Sequence, residues 1–183
     1  IGSIDEYSFE DYIQCMNINF HAPVLITKTF REALENTNGC CINVLGGGAA
    51  FAQPFYSAYS SSKVALARFT ETMSLEDETN NISYFSVTPG FLNTDIHKTT
   101  LEIGKERARD FYDFVSEKNK TEISMDKIAL FFRTLTEKKY KKLSGRFFSA
   151  AHDSLEDKNL LDILKYDSDI FAVRRIDNFN YFK

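Results

Sequence analysis

Residues 41–63 read CINVLGGGAAFAQPFYSAYSSSK, from Cys41 to Lys63. An apolar run, three glycines and the start of a helix follow in that order. Cys40 to Leu45 is nearly all apolar and too short for a helix, so it reads as a strand covered on both faces. From Ala58 to about Glu76, Tyr59, Ala65, Leu66, Phe69 and Met73 recur at helical spacing. A strand that feeds a helix is the unit of parallel sheets, and the chain on either side repeats it.

Upstream, Ser8-Phe-Glu-Asp11 marks a helix start, with Ser8 as N-cap and Asp11 at the third helical position. Ile13, Met16, Asn17, Phe20, Val24, Thr27 and Phe30 then predict one long amphipathic helix to about Glu35, ended by Asn38-Gly39. Downstream, Asn80-Asn81 is a turn signal, and Ile82 to Thr88 is a second buried strand closed by Pro89-Gly90. Residues 91–100 show no clear period. Helices are expected over 102–117 and 124–137, a third strand over 146–150, and a helix over 154–165 in the tail. The pattern predicts an α/β fold with a parallel sheet and helices on both faces. Ligands bind such sheets at the carboxyl ends of the strands. The glycine run and the Pro89-Gly90 loop both fall there.

The 183 residues suit one domain, and 43% hydrophobic with 26% charged is a globular balance. A net charge of −4 argues against a nucleic-acid surface, and Lys138 to Lys142 reads as a solvated helix end. Cys15, Cys40 and Cys41 form neither a zinc pattern nor a disulfide framework, which fits a reducing, cytoplasmic setting. His21, His97 and His152 lack metal-ligand spacing, so no metal is expected. No apolar run has the length of a membrane span and no leader is evident, so no membrane partner is expected.

Tyr59 and Lys63 are four residues apart on the predicted helix and share a face. A nearby ammonium favours the phenolate and lowers a phenol from its usual pKa of about 10. The pair therefore suits proton exchange with an alcohol or a carbonyl oxygen. The plain alternative is a surface pair on an amphipathic helix.

Four motifs in order give the chain its resemblance: CMNINF, CCINVL, YSAYSSSK and VTPGFLNT. Residues 1–150 resemble the second half of a short-chain dehydrogenase/reductase. The resemblance implies a Rossmann-like doubly wound parallel sheet, present here as its second half, with residues 151–183 as a C-terminal extension on the same domain. It implies Tyr59 as proton donor and Lys63 as the group that lowers its pKa and binds the nicotinamide ribose. Asn19 would hold a relay water. Pro89, Gly90 and Thr94 would meet the cofactor, NAD or NADP, and Phe91 and Leu92 would line or close its pocket. A homodimer or homotetramer acting on a small carbonyl or alcohol is expected.

Two departures stand out. No Gly-rich dinucleotide turn precedes the motifs, so a natural protein longer by roughly 80 to 100 residues is expected. The family's catalytic Ser usually lies thirteen residues before the Tyr, and that position here is Gly46. Loss of one such donor costs about 2.7–4 kcal/mol elsewhere. Backbone N–H groups of Gly46 to Gly48 could replace it, or the glycines could only make a close turn. The leading expectation is an NAD(P)-dependent oxidoreductase. The alternative is a catalytically impaired binding or assembly protein marked by Gly46. Epimerase or dehydratase chemistry on a related fold is disfavoured by the short Pro-Gly loop. A fainter resemblance, carried by Gly-Gly-Gly-Ala and an Arg-Arg-Ile, is to dehydrogenase-like proteins of bacterial surface-polysaccharide pathways. It implies a sugar-derived substrate, with Arg174 and Arg175 near an anionic group.

Overall fold

Three parallel strands, β1 (Cys40–Val44), β2 (Ser83–Thr88) and β3 (Phe147–Ser149), form a sheet in the order β1-β2-β3. The computed structural model describes residues 1–79, 81–118, 123–156, 160, 162–163, 167 and 169–175. The register sets Cys41 beside Tyr84, Asn43 beside Ser86 and Thr88 beside Ser149. β2 is central and buried along most of its length. β1 is less covered than its apolar sequence predicts, with Val44 43% exposed. Beside it, Ile18, Pro23, Ile26, Phe30, Leu34 and Ile42 line an open groove of about 430 Å³.

The helices are α1 (Phe9–Met16), α2 (Ala22–Thr37), α3 (Ser57–Glu76), α4 (Asp95–Glu102), α5 (Gly104–Ala108), α6 (Asp110–Lys118) and α7 (Met125–Leu135). Alternation along the strands divides them between the two faces. On one face Leu45 packs with Leu66 and Ala67 of α3, and Cys41 meets Thr27 of α2. On the other, Phe85, Val87 and Phe148 pack with Ile128, Phe131 and Leu135 of α7. The buried Asn43 amide donates to Thr70 Oγ1 at 2.9 Å, so a polar pair joins β1 to α3 inside the core.

Ser8 and Asp11 form the expected capping box, with Asp11 N–H donating to Ser8 Oγ at 3.1 Å. The single long helix is not continuous. A π-helical turn, Asn17–His21, separates α1 from α2. Pro23 supplies the reason: it has no N–H to return to the Asn19 carbonyl four residues earlier, and its ring would press on that carbonyl. Widening by one residue relieves both problems. The helix expected over 102–117 breaks at Arg109, whose φ is 52°, into α5 and α6. Residues 91–100 hold α4, begun by Thr94 and an acidic Asp95 in its first turn. The tail helix expected over 154–165 lies largely outside the described residues; 160, 162 and 163 are helical. Phe171 packs on the α7 side of the core, and its carbonyl accepts from Phe147 N–H at 2.8 Å.

The environment of β1 sets its thiols. Burial pushes Cys40 from an ordinary 9.0 up to about 12, with Cys41 adding to the rise. Only the thiolate is alkylated, and about three pKa units remove about a thousandfold of it at pH 8. Iodoacetamide at pH 8 should therefore modify Cys40 at least about 100-fold more slowly in the native protein than in urea. Peptide mass spectrometry reads this directly, and equal rates would show that β1 is not packed as described.

Candidate functional site

Because β1 and β2 are parallel neighbours, the loops that leave their carboxyl ends lie side by side. Leu45 N–H extends the ladder to Val87 O at 2.9 Å, and the chain then turns into Gly46. Residues Gly47–Ala49 make one 3-10 turn before the chain enters α3. Tyr59 and Lys63 stand in the first two turns of that helix, over the end of β1. Lys63 Nζ donates to the Val44 carbonyl at 3.0 Å and lies 5.8 Å from the centre of the Tyr59 ring. One of the ammonium's three donors is thus fixed to the strand end.

The electrostatics differ from the expectation. Burial raises the Tyr59 phenol above its ordinary 10.0, and the Cys15 thiol adds to the rise. Burial also lowers Lys63, with Cys15 acting the other way. Desolvation penalises the charged form of each side chain. The phenol therefore stands above its ordinary value and not below it.

The glycines have a steric explanation. A Cβ on Gly46 would overlap the Tyr59 hydroxyl and come within 2.9 Å of its Cζ. A Cβ on Gly48 would meet Ser60 Oγ at 2.5 Å and Ser60 Cα at 3.1 Å. A Cβ on Gly47 would meet nothing within 4 Å. The loop therefore needs glycine at the two positions where α3 comes closest. The phenol oxygen lies in the space that a side chain at position 46 would fill.

Asn19 lies within the π-turn, and its Nδ2 donates to Cys15 Sγ at 3.2 Å. Cys15 was not singled out from sequence, although its place one turn before Asn19 was the available signal. Pro89 and Gly90 follow β2. Gly90 has φ 97°, and a Cβ there would come within 2.8 Å of the Ala151 Cβ, so this turn needs glycine twice over. Thr94 is the exposed N-cap residue of α4, yet its hydroxyl makes no capping bond. Leu92 packs on the core, whereas Phe91 stacks on His97 with ring centres 4.5 Å apart. His97 is on α4; burial lowers its pKa, and its Nδ1 has no partner among the described residues. Phe111 reaches the same cluster and also meets Tyr56, whose hydroxyl bonds Thr100 Oγ1 at 2.7 Å.

Arg174 does not reach toward this end of the sheet. Its guanidinium donates to Glu71 at 2.5 and 3.1 Å and to Asp169 at 2.7 Å, which ties the tail to α3. Arg175 is engaged as well. Among the described residues no group of His, Cys, Asp and Glu could hold a metal ion, and no helix is long and apolar enough to cross a membrane.

Residues 1–103 match the family model for short chain dehydrogenases. A stretch of 92 residues is 39% identical to human 17-beta-hydroxysteroid dehydrogenase type 2, covering 49% of this chain and 23% of that protein. The chain spans less than half the length of the curated relatives it matches. A short chain dehydrogenase/reductase from Saccharomyces cerevisiae superposes with a TM-score of 0.73 at 20% identity, covering 88% of this chain and 63% of that one. A 4-hydroxyisoleucine dehydrogenase complexed with NADH and succinate gives 0.62 at 20% identity, over 81% and 60%.

The contrast among the glycines can be measured. Gly46→Ser forces the Tyr59 ring aside and should cost about 1–3 kcal/mol of stability, as overpacking does. It should also shift the Tyr59 ring resonances. Gly47→Ser, which enters open space, should change neither. Equal effects at the two positions, by denaturant melts and NMR, would refute the steric account.

Proposed function

Because the chain belongs to the short-chain dehydrogenase family, we propose that it carries the acid–base half of an NAD(P)-dependent oxidoreductase that reduces a carbonyl or oxidises an alcohol. The observation that carries this reading is the placement of Tyr59 and Lys63. They share one face of α3 at the carboxyl end of β1, with the ammonium anchored on the Val44 carbonyl. Tyr59 gives its proton to a carbonyl oxygen as that oxygen gains charge, and takes it back in the reverse direction. Lys63, fixed through one donor, keeps two for a ligand.

The donors at this end of the sheet fit the nicotinamide and its ribose. They are the Lys63 ammonium, the Thr94 hydroxyl left unused by its own helix, and the loop from Pro89 to Gly90. One related fold is described with NADH bound. A nicotinamide nucleotide, when bound, supplies or accepts the hydride.

A second reading also has an observation behind it. The Tyr59 hydroxyl lies where a side chain at position 46 would reach, so position 46 supplies no hydroxyl to hold the substrate oxygen. A binding or assembly protein with weak or no turnover would have this arrangement. Tyr59→Phe separates the two. Under the enzyme reading it should lower kcat by about 10²–10⁴-fold, the usual worth of a positioned acid, and leave cofactor binding in place. Cofactor binding with no turnover across a broad carbonyl panel would favour the second reading.

The direction of the Tyr59 shift gives a pH test. A raised pKa keeps the phenol protonated below its ordinary 10.0, so the donor form is present at neutral pH and is lost only as pH rises through the raised value. Carbonyl reduction should then hold through neutral pH, while alcohol oxidation, which needs the phenolate, climbs toward alkaline pH. An oxidation profile that levels off well below pH 10 would show that burial does not control this group.

A further inference from the structure

We infer that Cys15 is a positioning residue of this site, whose sulfur fixes the side-chain amide of Asn19. Asn19 Nδ2 donates to Cys15 Sγ at 3.2 Å, between α1 and the π-turn that follows it. An Asn amide offers two N–H donors at one end and an acceptor oxygen at the other. A sulfur acceptor engages the NH2 end, and the oxygen is then directed away from Cys15. The bond therefore decides which end of Asn19 is available to a water or to an ammonium. Without it the amide is free to flip, and the acceptor is in the right place only part of the time.

Two further observations place Cys15 in the catalytic neighbourhood. α1 packs against α3, the helix that carries Tyr59 and Lys63. Cys15 also acts electrostatically on both of those side chains. The other two cysteines differ in kind: Cys40 and Cys41 lie in β1 and are pushed up by burial. Cys15 thus meets Asn19 by a hydrogen bond, on a helix that packs against the one carrying the acid–base pair. The geometry stands by itself, whereas the consequence for turnover rests on the proposed acid–base reading.

The test compares Cys15→Ala with Cys15→Ser in 15N-labelled protein, with the Asn19 side-chain signals assigned by their loss in Asn19→Asp. Cys15→Ala removes the acceptor. Solvent exchange of the Asn19 amide should quicken by about two- to tenfold, the worth of one neutral hydrogen bond. In the enzyme kcat should fall by a similar factor with KM nearly unchanged. Cys15→Ser keeps an acceptor and should restore slow exchange and most of kcat. Melting curves identify a variant that is merely unfolded, and Cys15→Ser still decides the matter if Cys15→Ala does not fold. An Asn19 amide unchanged in Cys15→Ala overturns the inference, as does a Cys15→Ser variant as impaired as Cys15→Ala. Should the wild-type chain show no turnover, the exchange rates still decide the role of Cys15, and only the functional reading falls.

Discussion

The close approach of α3 to the glycine loop is the constraint on which the rest of the site depends. The first turns of α3 lie so near the end of β1 that residues 46 and 48 have no room for a Cβ. That proximity lets Lys63 reach the Val44 carbonyl and sets the Tyr59 ring over Gly46. It also buries both side chains, and burial governs their ionisation. A bulkier loop would push the helix outward, and the ammonium, the phenol and the strand end would separate together. Gly46 and Gly48 serve packing first. Their chemical consequence, a phenol in place of a second hydroxyl, follows from it.

A second constraint comes from one proline. Pro23 cannot close the hydrogen bond to the Asn19 carbonyl, and the helix answers with a π-turn. The turn carries Asn19 and begins where the helix of Cys15 ends, so an irregularity forced by backbone chemistry lies within the candidate site. π-turns often mark functional positions because they move a side chain off the regular helical track. Here the displaced residue is the Asn whose amide is bonded by sulfur.

Burial sets the direction of ionisation at both members of the acid–base pair. From spacing alone, Lys63 next to Tyr59 argues for a lowered phenol. In the folded chain both groups lose water, which favours neutral phenol and neutral amine. Under the proposed acid–base reading, a protonated Tyr59 is the form that donates to a carbonyl oxygen. The aromatic cluster of Phe91, His97, Phe111 and Tyr56 holds α4 and α6 near the same end of the sheet, and burial lowers the pKa of its imidazole.

Local pattern determined much of this protein. The apolar runs at Cys40–Val44 and Ser83–Thr88, the capping box at Ser8 and Asp11, and the period through Tyr59, Leu66 and Phe69 were legible because each is set by near neighbours in the chain. So were the positions of Tyr59 and Lys63 at the start of a helix and of Gly90 just past the end of a strand. The π-turn was partly written in Pro23, but a hydrophobic period continuous across it hid the break. Tertiary structure alone decided the rest. Whether Tyr59 is raised or lowered depends on how much water the packed helix excludes, not on the spacing to Lys63. What Gly46 is for depends on which side chain fills its space, and that chain arrives from thirteen residues away. The partners of Arg174 and of the Val44 carbonyl are likewise set by the packing of distant elements, because guanidinium and carbonyl groups bond whatever the fold brings within reach.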